Sequence, residues 1–286
     1  MFMTLMAGAL AATLMVADTD TTIAAAGATR LHLNTMGGEI VVNVWNRDQI
    51  RIQAAHSSRS SIAVERAGTV INVTSRGRPI SGIVDYEITV PASMALDLTG
   101  LHAEIRVEGS RGEVKAESVE GNVTVRGGRG RVSLQAVNGD AILEGAEGDL
   151  EVKSVSGSVK VTSSSGKLHA ETVSGDVYLT GINATQVNGS TVSGDVTYAG
   201  SIIGTGTYSF VTHSGDVHLD FPANVNATVS VATLSGRARA TGTSITVPAM
   251  KAGRRNTFTL GTGGARIEAE SFSGDIIIGP RSTRSN

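Results

Sequence analysis

Glycines recur through the middle of this 286-residue chain at a fixed spacing. Two interleaved series, each with a step of 18 residues, are Gly121, Gly139, Gly157, Gly175 and Gly112, Gly130, Gly148, Gly166. Later copies of the first series stretch to steps of 19 and 21 residues at Gly194, Gly215 and Gly236, and Gly274 belongs to a last copy after a break. A repeat of this length indicates an array of units that pack against their neighbours.

Apolar and polar residues alternate between the glycines, which is typical of half-buried strands. The residues predicted to point inward after the first series are Val123, Ala141, Val159, Val177, Val196, Val217, Ala238 and Ile276, each followed two positions later by another apolar residue. The intervening residues, predicted to point outward, are Thr124, Ile142, Lys160, Tyr178, Thr197, His218, Arg239 and Ile277. The second series repeats the pattern, with Val114, Val132, Leu150 and Leu168 inward.

Each unit therefore contains two short strands and two corners, and one unit alone cannot bury its apolar face. Stacked units share a continuous core, so the sequence predicts an all-β fold, a parallel β-solenoid of about 18-residue coils with irregular β caps at both ends. The alternative is a β-sandwich of antiparallel hairpins. Asn138-Gly139 and Asn188-Gly189 suit hairpin turns, but most corners read Ser-Gly-Asp, and the fixed period favours stacking.

The recurring stretch Val-Ser-Gly-Asp-Val, as at Val173–Val177, has a structural explanation. Glycine permits the backbone of a sharp corner, and Asp hydrogen-bonds nearby backbone. Valines on both sides of the corner are expected to fill the interior, and the serines before the glycines to stack along one edge. The predicted structural corners are Gly121, Gly139, Gly157, Gly175, Gly194 and Gly215.

The chain outside the repeats divides into further regions. Residues 1–17 are uncharged and are predicted to be a signal peptide, because the stretch from Leu5 to Val16 has the length of its apolar region, although the usual positive start is missing. Residues 28–108 are strand-like without the period and are expected to cap the solenoid, whose repeats occupy 109–240. Residues 241–280 are expected to form a C-terminal β cap, and 281–286 a disordered tail.

Composition excludes several classes of function. The formal net charge is −2 without a basic stripe, which argues against nucleic acid as a partner. The absence of cysteine excludes disulfides, thiol catalysis and cysteine-bound zinc. No second apolar run is long enough for a transmembrane anchor. No cofactor motif is present: Gly261–Gly264 lacks the Lys-Ser/Thr pair of a phosphate loop.

Two groups of residues resemble chemical sites but favour structural roles. His213, Ser214 and Asp216 include the residue types of a catalytic triad, but neighbours in a strand point to opposite faces. Asp176 and the equivalent Asp195 and Asp216 would stack about 5 Å apart. Repulsion at that distance is only about 0.9 kcal/mol in water, so no metal is needed, and none is predicted.

The Val-Ser-Gly-Asp-Val copies, the start GGEIVVNVWNRDQIRIQA and the end FTLGTGGARIEAESFSGDIII together resemble a bacterial cell-envelope family, a domain of unknown function labelled "putative adhesin". The resemblance covers most of residues 30–279. It implies a β-solenoid-like domain, a location in the cell envelope and no known catalytic residues.

Two classes of function follow. The favoured one is a non-enzymatic, exported, periplasmic or cell-surface binding or scaffold module, with an envelope glycan or another envelope protein as partner. The alternative is a carbohydrate-active β-helix enzyme, a polysaccharide lyase or hydrolase, which needs converging charged side chains in a groove. By elimination of inward and corner positions, the expected ligand face includes Tyr178, His218 and Ile142.

Overall fold

A computed structural model describes residues 16–76, 82–220, 222, 224–240 and 253–279, and shows an all-β chain in that part. The predicted signal peptide (except for its last two residues), residues 241–252 and 280 of the predicted C-terminal cap, and the tail 281–286 lie outside the described residues. The strands are β1 (Val16–Ala24), β2 (Arg30–Trp45), β3 (Gln49–Ser57), β4 (Ser61–Ala67), β5 (Val70–Arg76), β6 (Val84–Pro91), β7 (Ala95–Ser110), β8 (Val114–Glu120), β9 (Val123–Gly127), β10 (Arg129–Asn138), β11 (Ala141–Glu144), β12 (Glu147–Ser156), β13 (Val159–Thr162), β14 (Ser165–Glu171), β15 (Val177–Ser193), β16 (Val196–Gly200), β17 (Thr207–Ser214), β18 (Val217–Asp220), β19 (Ala227–Thr233), β20 (Ala238–Ala240), β21 (Asn256–Leu260), β22 (Ala265–Ser273) and β23 (Ile276–Ile278).

The strands form two long rows, and the long strands β2, β7 and β15 take part in both. One row runs β1–β3–β6–β2–β7–β9–β11–β13–β15–β16–β18–β23–β20. The other runs β4–β5–β2–β7–β8–β10–β12–β14–β15–β17–β22–β19–β21. Pairing between successive coils is parallel, which agrees with solenoid-like stacking and not with hairpins.

The predicted inward columns lie in the core. Val123, Ala141, Val159 and Val177 are direct partners in neighbouring strands, and each is fully buried. The same holds for Val114, Val132, Leu150 and Leu168 in the other row, with at most 3% exposed. Because both rows turn their apolar faces toward each other, one continuous core runs through the described residues.

The coils that stretch beyond 18 residues enclose an aromatic cluster. Tyr198 packs against Tyr208 and Phe210, with ring centroids 6.0 Å and 4.9 Å away. Both tyrosine hydroxyls donate to backbone carbonyls, of Ser201 and Ala184. Burial raises the pKa of both tyrosines. The coils with extra residues are thus the ones that enclose these aromatic side chains, whereas the core of the 18-residue coils is aliphatic.

The order of the copies in space differs from their order in the chain. The sequence places the Gly236 copy directly after the Gly215 copy. In the structure, β22 and β23 of the Gly274 copy pair with β17 and β18, and the Gly236 copy is stacked beyond them. This order buries the larger apolar side chain, since Ile276 is fully buried while Ala238, at the same position of the outer copy, is only half-buried.

Antiparallel strands end both rows at the N-terminal end and the second row at the C-terminal end. At the N-terminal end β1 pairs with β3, β3 with β6, and β4 with β5, all antiparallel. At the C-terminal end β21 pairs antiparallel with β19, whereas β20, the last strand of the first row, pairs parallel with β23. Three of the four row ends described here therefore carry strands that run in the opposite direction.

The valine before each corner does not fill the interior, contrary to the prediction. Val173 is 44% exposed, whereas Val177 is fully buried. The buried position before the corner belongs instead to a hydroxyl residue, such as Thr172. The inward positions Leu168, Ala170 and Thr172 alternate along the strand, so Val173, the next residue, faces outward.

Candidate functional site

The predicted ligand face is a column of outward side chains on the first row. Its members lie in register across successive strands, in the order Thr124, Ile142, Lys160, Tyr178, Thr197, His218. Tyr178, His218 and Ile142 are all half-buried, not fully exposed. Thr197, between the two rings, is only 8% exposed. The column thus forms a nearly closed layer over the strands.

Both rings of this column contact the corner aspartates of their own coils. The Tyr178 hydroxyl donates to Oδ2 of Asp176 at 2.7 Å. His218 Nε2 lies 4.0 Å from Oδ2 of Asp216, and the histidine side chain is 18% exposed. The structure thus brings Tyr178 and His218 to the same face, one on each side of Thr197, with a carboxylate beside each ring.

The corner aspartates connect one coil to the next. Oδ1 of Asp176 accepts the backbone N–H of Asp195, and Oδ1 of Asp195 accepts that of Asp216, both at 2.8 Å. The chain of bonds continues from Asp216 to Asp275 and from Asp275 to Arg237. At earlier corners Asn122 and Asp140 make the same bond to the coil 18 residues later. These side chains therefore satisfy backbone donors that the corner removes from the strand pairing.

Buried hydroxyls provide a second connection between coils. In seven copies of the repeat, the Ser or Thr three positions before the corner glycine donates to a backbone carbonyl at a neighbouring corner, with distances of 2.6 to 3.0 Å. The donors are Ser118, Ser154, Thr172, Thr191, Thr212, Ser271 and Thr233. The Gly139 copy has Ala136 at this position. A corner is thus joined to its neighbour by two kinds of hydrogen bond: one from a buried hydroxyl and one to the side chain of a corner Asp or Asn. The sequence pointed to the serines directly before the glycines, such as Ser174. These stack in register along one edge, as predicted, but they are exposed, and the buried hydroxyls lie two positions earlier.

The outward face of the second row carries paired charges. Lys115 Nζ lies 3.0 Å from Glu117, and Lys153 Nζ lies 2.8 Å from Glu151. The hydrogen bond from Lys153 lowers the pKa of Glu151, and that bond raises the pKa of Lys153. Neighbouring cations thus compensate these carboxylates instead of leaving them free to act as a pair of acid and base.

A further surface feature was not predicted. Apolar side chains two positions before the corners are 37–56% exposed and follow one another along the stack: Met36, Leu101, Val119, Val137, Val155, Val173, Val192, Leu234 and Phe272. We call this set, together with His213, the apolar corner ladder. The signal was available in the sequence, because extending the alternation Val114–Ala116–Ser118 places Val119 outward.

The concave regions of the surface are shallow. A cavity of about 500 Å³ lies beside the C-terminal end of the apolar corner ladder, where His213 stacks on Phe272 with ring centroids 4.7 Å apart. A second, of about 660 Å³, is lined by acidic residues of the N-terminal strands, among them Asp18 and Glu87. In the part of the chain that the structure describes, no cluster of His, Asp and Glu has the geometry of a metal site.

Comparison with known families matches residues 28–279 to Toastrack DUF4097. The chain belongs to the Toastrack DUF4097 family. The match covers both rows of strands except β1 (Val16–Ala24). A comparison with curated proteins finds no match.

Solved structures of bacterial proteins are similar to this Toastrack chain at low identity. One, from Parabacteroides distasonis, is described as a "putative adhesin", with 12% identity, 92% of this chain and 97% of the other covered, and a TM-score of 0.48. Another "putative adhesin", from Bacteroides fragilis, has 11% identity, coverage of 93% and 97%, and a TM-score of 0.42. A third, from Parabacteroides merdae, has 11% identity, coverage of 72% and 92%, and a TM-score of 0.44.

Among the residues that are described, no helix has the length and apolar character to cross a membrane.

Proposed function

We propose that this Toastrack chain is an exported, non-enzymatic, adhesin-like binding and scaffold module of the bacterial cell envelope, periplasmic or at the cell surface. The observation that supports this most is that the repeated polar residues bond to other parts of the chain. Corner carboxylates and hydroxyls bond the backbone of neighbouring coils, and Glu151 is paired with Lys153. A repeat of this kind builds a rigid, extended surface for display.

We further propose that the chain follows the division indicated by its sequence. Residues 1–17 act as a signal peptide, 28–108 cap one end, 109–240 form a solenoid of about 18-residue coils, 241–280 cap the other end, and 281–286 are a tail. The 18-residue offset between bonded corners at Asn122, Asp140 and Ser158 supports the coil length. The antiparallel strands at both ends support the caps, because they use backbone groups that an open stack would leave unpaired.

The ligand in this proposal is an envelope glycan or another envelope protein, bound along the outward column of the first row. Tyr178, His218 and Ile142 provide ring and aliphatic surface, and Asp176 and Asp216 provide acceptors beside the rings. A ring flanked by a carboxylate suits a sugar, which offers an apolar face and hydroxyl donors. Both rings are half-buried, so part of each is exposed to solvent.

The test is a glycan array probed with the purified chain, followed by titration of each glycan that binds. A Tyr178→Ala, His218→Ala variant should bind at least tenfold more weakly, because both ring contacts are lost. Thr124→Ala, in the same column but three coils from Tyr178, is the matched control and should bind as the parent does.

Thermal melts of all variants separate loss of contact from loss of fold, since Tyr178 also donates to Asp176. Unchanged affinity in the double variant would reject this face and direct attention to residues 30–108. Turnover of a bound polysaccharide into shorter chains would reject the non-enzymatic function itself.

A further inference from the structure

The apolar corner ladder extends along the whole stack of coils. Strand register places Met36 beside Leu101, Leu101 beside Val119, and so on to Val192, His213, Phe272 and Leu234. Ten positions at the usual separation of strands span roughly 43 Å. Single exposed valines are common on protein surfaces, but a continuous row of this length is not.

The opposite corner of the same coils provides an internal comparison. It carries exposed charges in ion pairs, including Arg126 with Glu108 and Glu144, and Arg129 with Glu147. Of the large apolar residues near this corner, Ile182 is 1% exposed, and Ile202 and Ile203 are half-buried. Strand propensity alone favours β-branched residues at both corners. It therefore does not explain why exposed apolar side chains follow one corner and charges follow the other.

Small uncharged residues directly follow the ladder in most copies. In seven successive copies, the ladder residue, the next residue and the glycine read Val-Asn-Gly at 137–139, Val-Ser-Gly at 155–157, 173–175 and 192–194, His-Ser-Gly at 213–215, Phe-Ser-Gly at 272–274 and Leu-Ser-Gly at 234–236. Charged residues lie farther out on both sides, such as Asp176 after the glycine and Lys153 and Glu171 before the ladder. An apolar row with a polar rim is the arrangement of a protein interface. The large side chains of the ladder form a ridge beside a trough of Ser and Gly.

The size and spacing of the ladder indicate its partner. Nine apolar side chains at 37–56% exposure present on the order of 700 Å², close to the roughly 800 Å² per partner of a standard interface. The apolar groups recur at the separation of adjacent strands, about 4.8 Å. A partner whose side chains recur at the same spacing over this length is itself a stack of strands. A second copy of this chain is such a stack, and it has the same ridge and trough.

We propose that two copies of this Toastrack chain associate through the apolar corner ladder, with the ridge of each copy seated in the Ser–Gly trough of the other. A two-fold axis makes such an interface self-complementary. The ladder is broadest near its C-terminal end, where Val211 adjoins Val192 and the stacked His213 and Phe272 beside the 500 Å³ cavity. The proposal is independent of the glycan-binding face, which lies on the outward side of the first row.

The decisive measurement is the molar mass of the purified chain in solution, by light scattering and sedimentation. Chain concentrations up to about 100 µM are needed, because they exceed a micromolar dissociation constant about a hundredfold. The parent should show the mass of two chains. Val155→Lys, Val173→Lys, Val192→Lys should show the mass of one chain, with a melting temperature close to that of the dissociated parent. Thr180→Lys, Thr185→Lys, Gln186→Lys adds the same charge at the opposite corner and should remain a dimer.

A variant with threonine at the same three valines keeps the branched shape and should weaken the dimer at least tenfold, which provides a readout if the lysine variant does not fold. The chain has no cysteine, so single cysteines at Val119, Val155, Val173 or Phe272 report contacts by disulfide cross-linking. Ladder positions near the two-fold axis should cross-link, and Thr185→Cys should not.

Three results would overturn the proposal. One is that the parent shows the mass of a single chain at every concentration, which is also the result expected if the ladder binds a different protein. Another is a dimer that survives both ladder variants. The third is cross-linking through Thr185→Cys with none at the four ladder positions.

Discussion

The central coils and the C-terminal end of this Toastrack chain use the same repeat in different ways. From Gly121 to Gly215 the order of copies in the chain is also their order in space. At the C-terminal end the Gly274 copy is inserted between the Gly215 and Gly236 copies. The repeat pattern therefore indicates which side chains face inward, whereas the burial available at each place determines where a copy is stacked.

The largest expected effect tests that insertion. Ile276→Asp would bury an uncompensated charge at a fully buried site and should cost several kcal/mol of unfolding free energy. Ala238→Asp changes the same position of the outer, half-buried copy and should cost about 1 kcal/mol or less. Denaturant unfolding of both variants measures the difference. Equal costs, or the reverse order, would place the Gly236 copy inside.

The corners of the central coils offer the next test. A Cβ at Gly175 would lie 2.3 Å from the carbonyl oxygen of Gly157 in the preceding coil. Gly175→Ala should therefore cost about 2–4 kcal/mol, since backbone must move. Gly145 also has a positive φ, of 67°, but a Cβ there meets nothing within 4 Å.

Gly145→Ala is thus the matched control, and it should cost about 1–2 kcal/mol from backbone conformation alone. Thermal and denaturant melts of the pair isolate the contact between coils. A Gly175→Ala variant no less stable than Gly145→Ala would show that the coils are stacked less closely than the structure has them.

A smaller effect is expected from the carboxylates that join the coils. Asp195→Ala removes the acceptor of the Asp216 N–H and should cost about 1 kcal/mol. Asp195→Asn keeps an oxygen acceptor and should stay within about 0.5 kcal/mol of the parent. Melting temperatures should not respond to millimolar calcium or to a chelator. A chelator-sensitive melt that Asp195→Asn abolishes would assign these residues to a metal instead.

The smallest effect concerns the ion pairs of the second row. The hydrogen bond from Lys153 lowers the pKa of Glu151, with smaller contributions from Arg131 and His169. A lowered carboxylate pKa contributes stability above the unfolded pKa, and that contribution is lost as the pH falls through the folded pKa. Glu151→Gln should therefore cost about 0.5 kcal/mol at neutral pH, and this cost should fall as the pH drops through the folded pKa. A cost that persists in acid would indicate packing and not charge.

Much of the fold could be predicted from the sequence because it depends on local alternation. Val123, Val159 and Val177 were assigned to the core by period two and by the glycine spacing, and all three are fully buried. The same rule placed Tyr178, His218 and Ile142 on the outward face of the first row, where the structure has them. Their exposure was not predicted, since it depends on side chains of adjacent coils, such as those that cover Thr197.

Other features needed the tertiary structure. Val173 was misassigned for another reason: it was grouped with the corner, although extending the alternation Leu168–Ala170–Thr172 places it outward. The acceptor role of Asp195 was expected within its own turn, but its partner lies in the next coil, 21 residues away. Such bonds depend on which coils become neighbours.

By itself the sequence determined the strands, their inward faces, the glycine corners and the family, because each of these is set within one or two 18-residue units. Only the tertiary structure decided the stacking order at the C-terminal end, the bonds that join successive corners and the continuous exposed row at one corner. Those features arise between units, where residues distant in the chain compete for the same core and the same backbone donors.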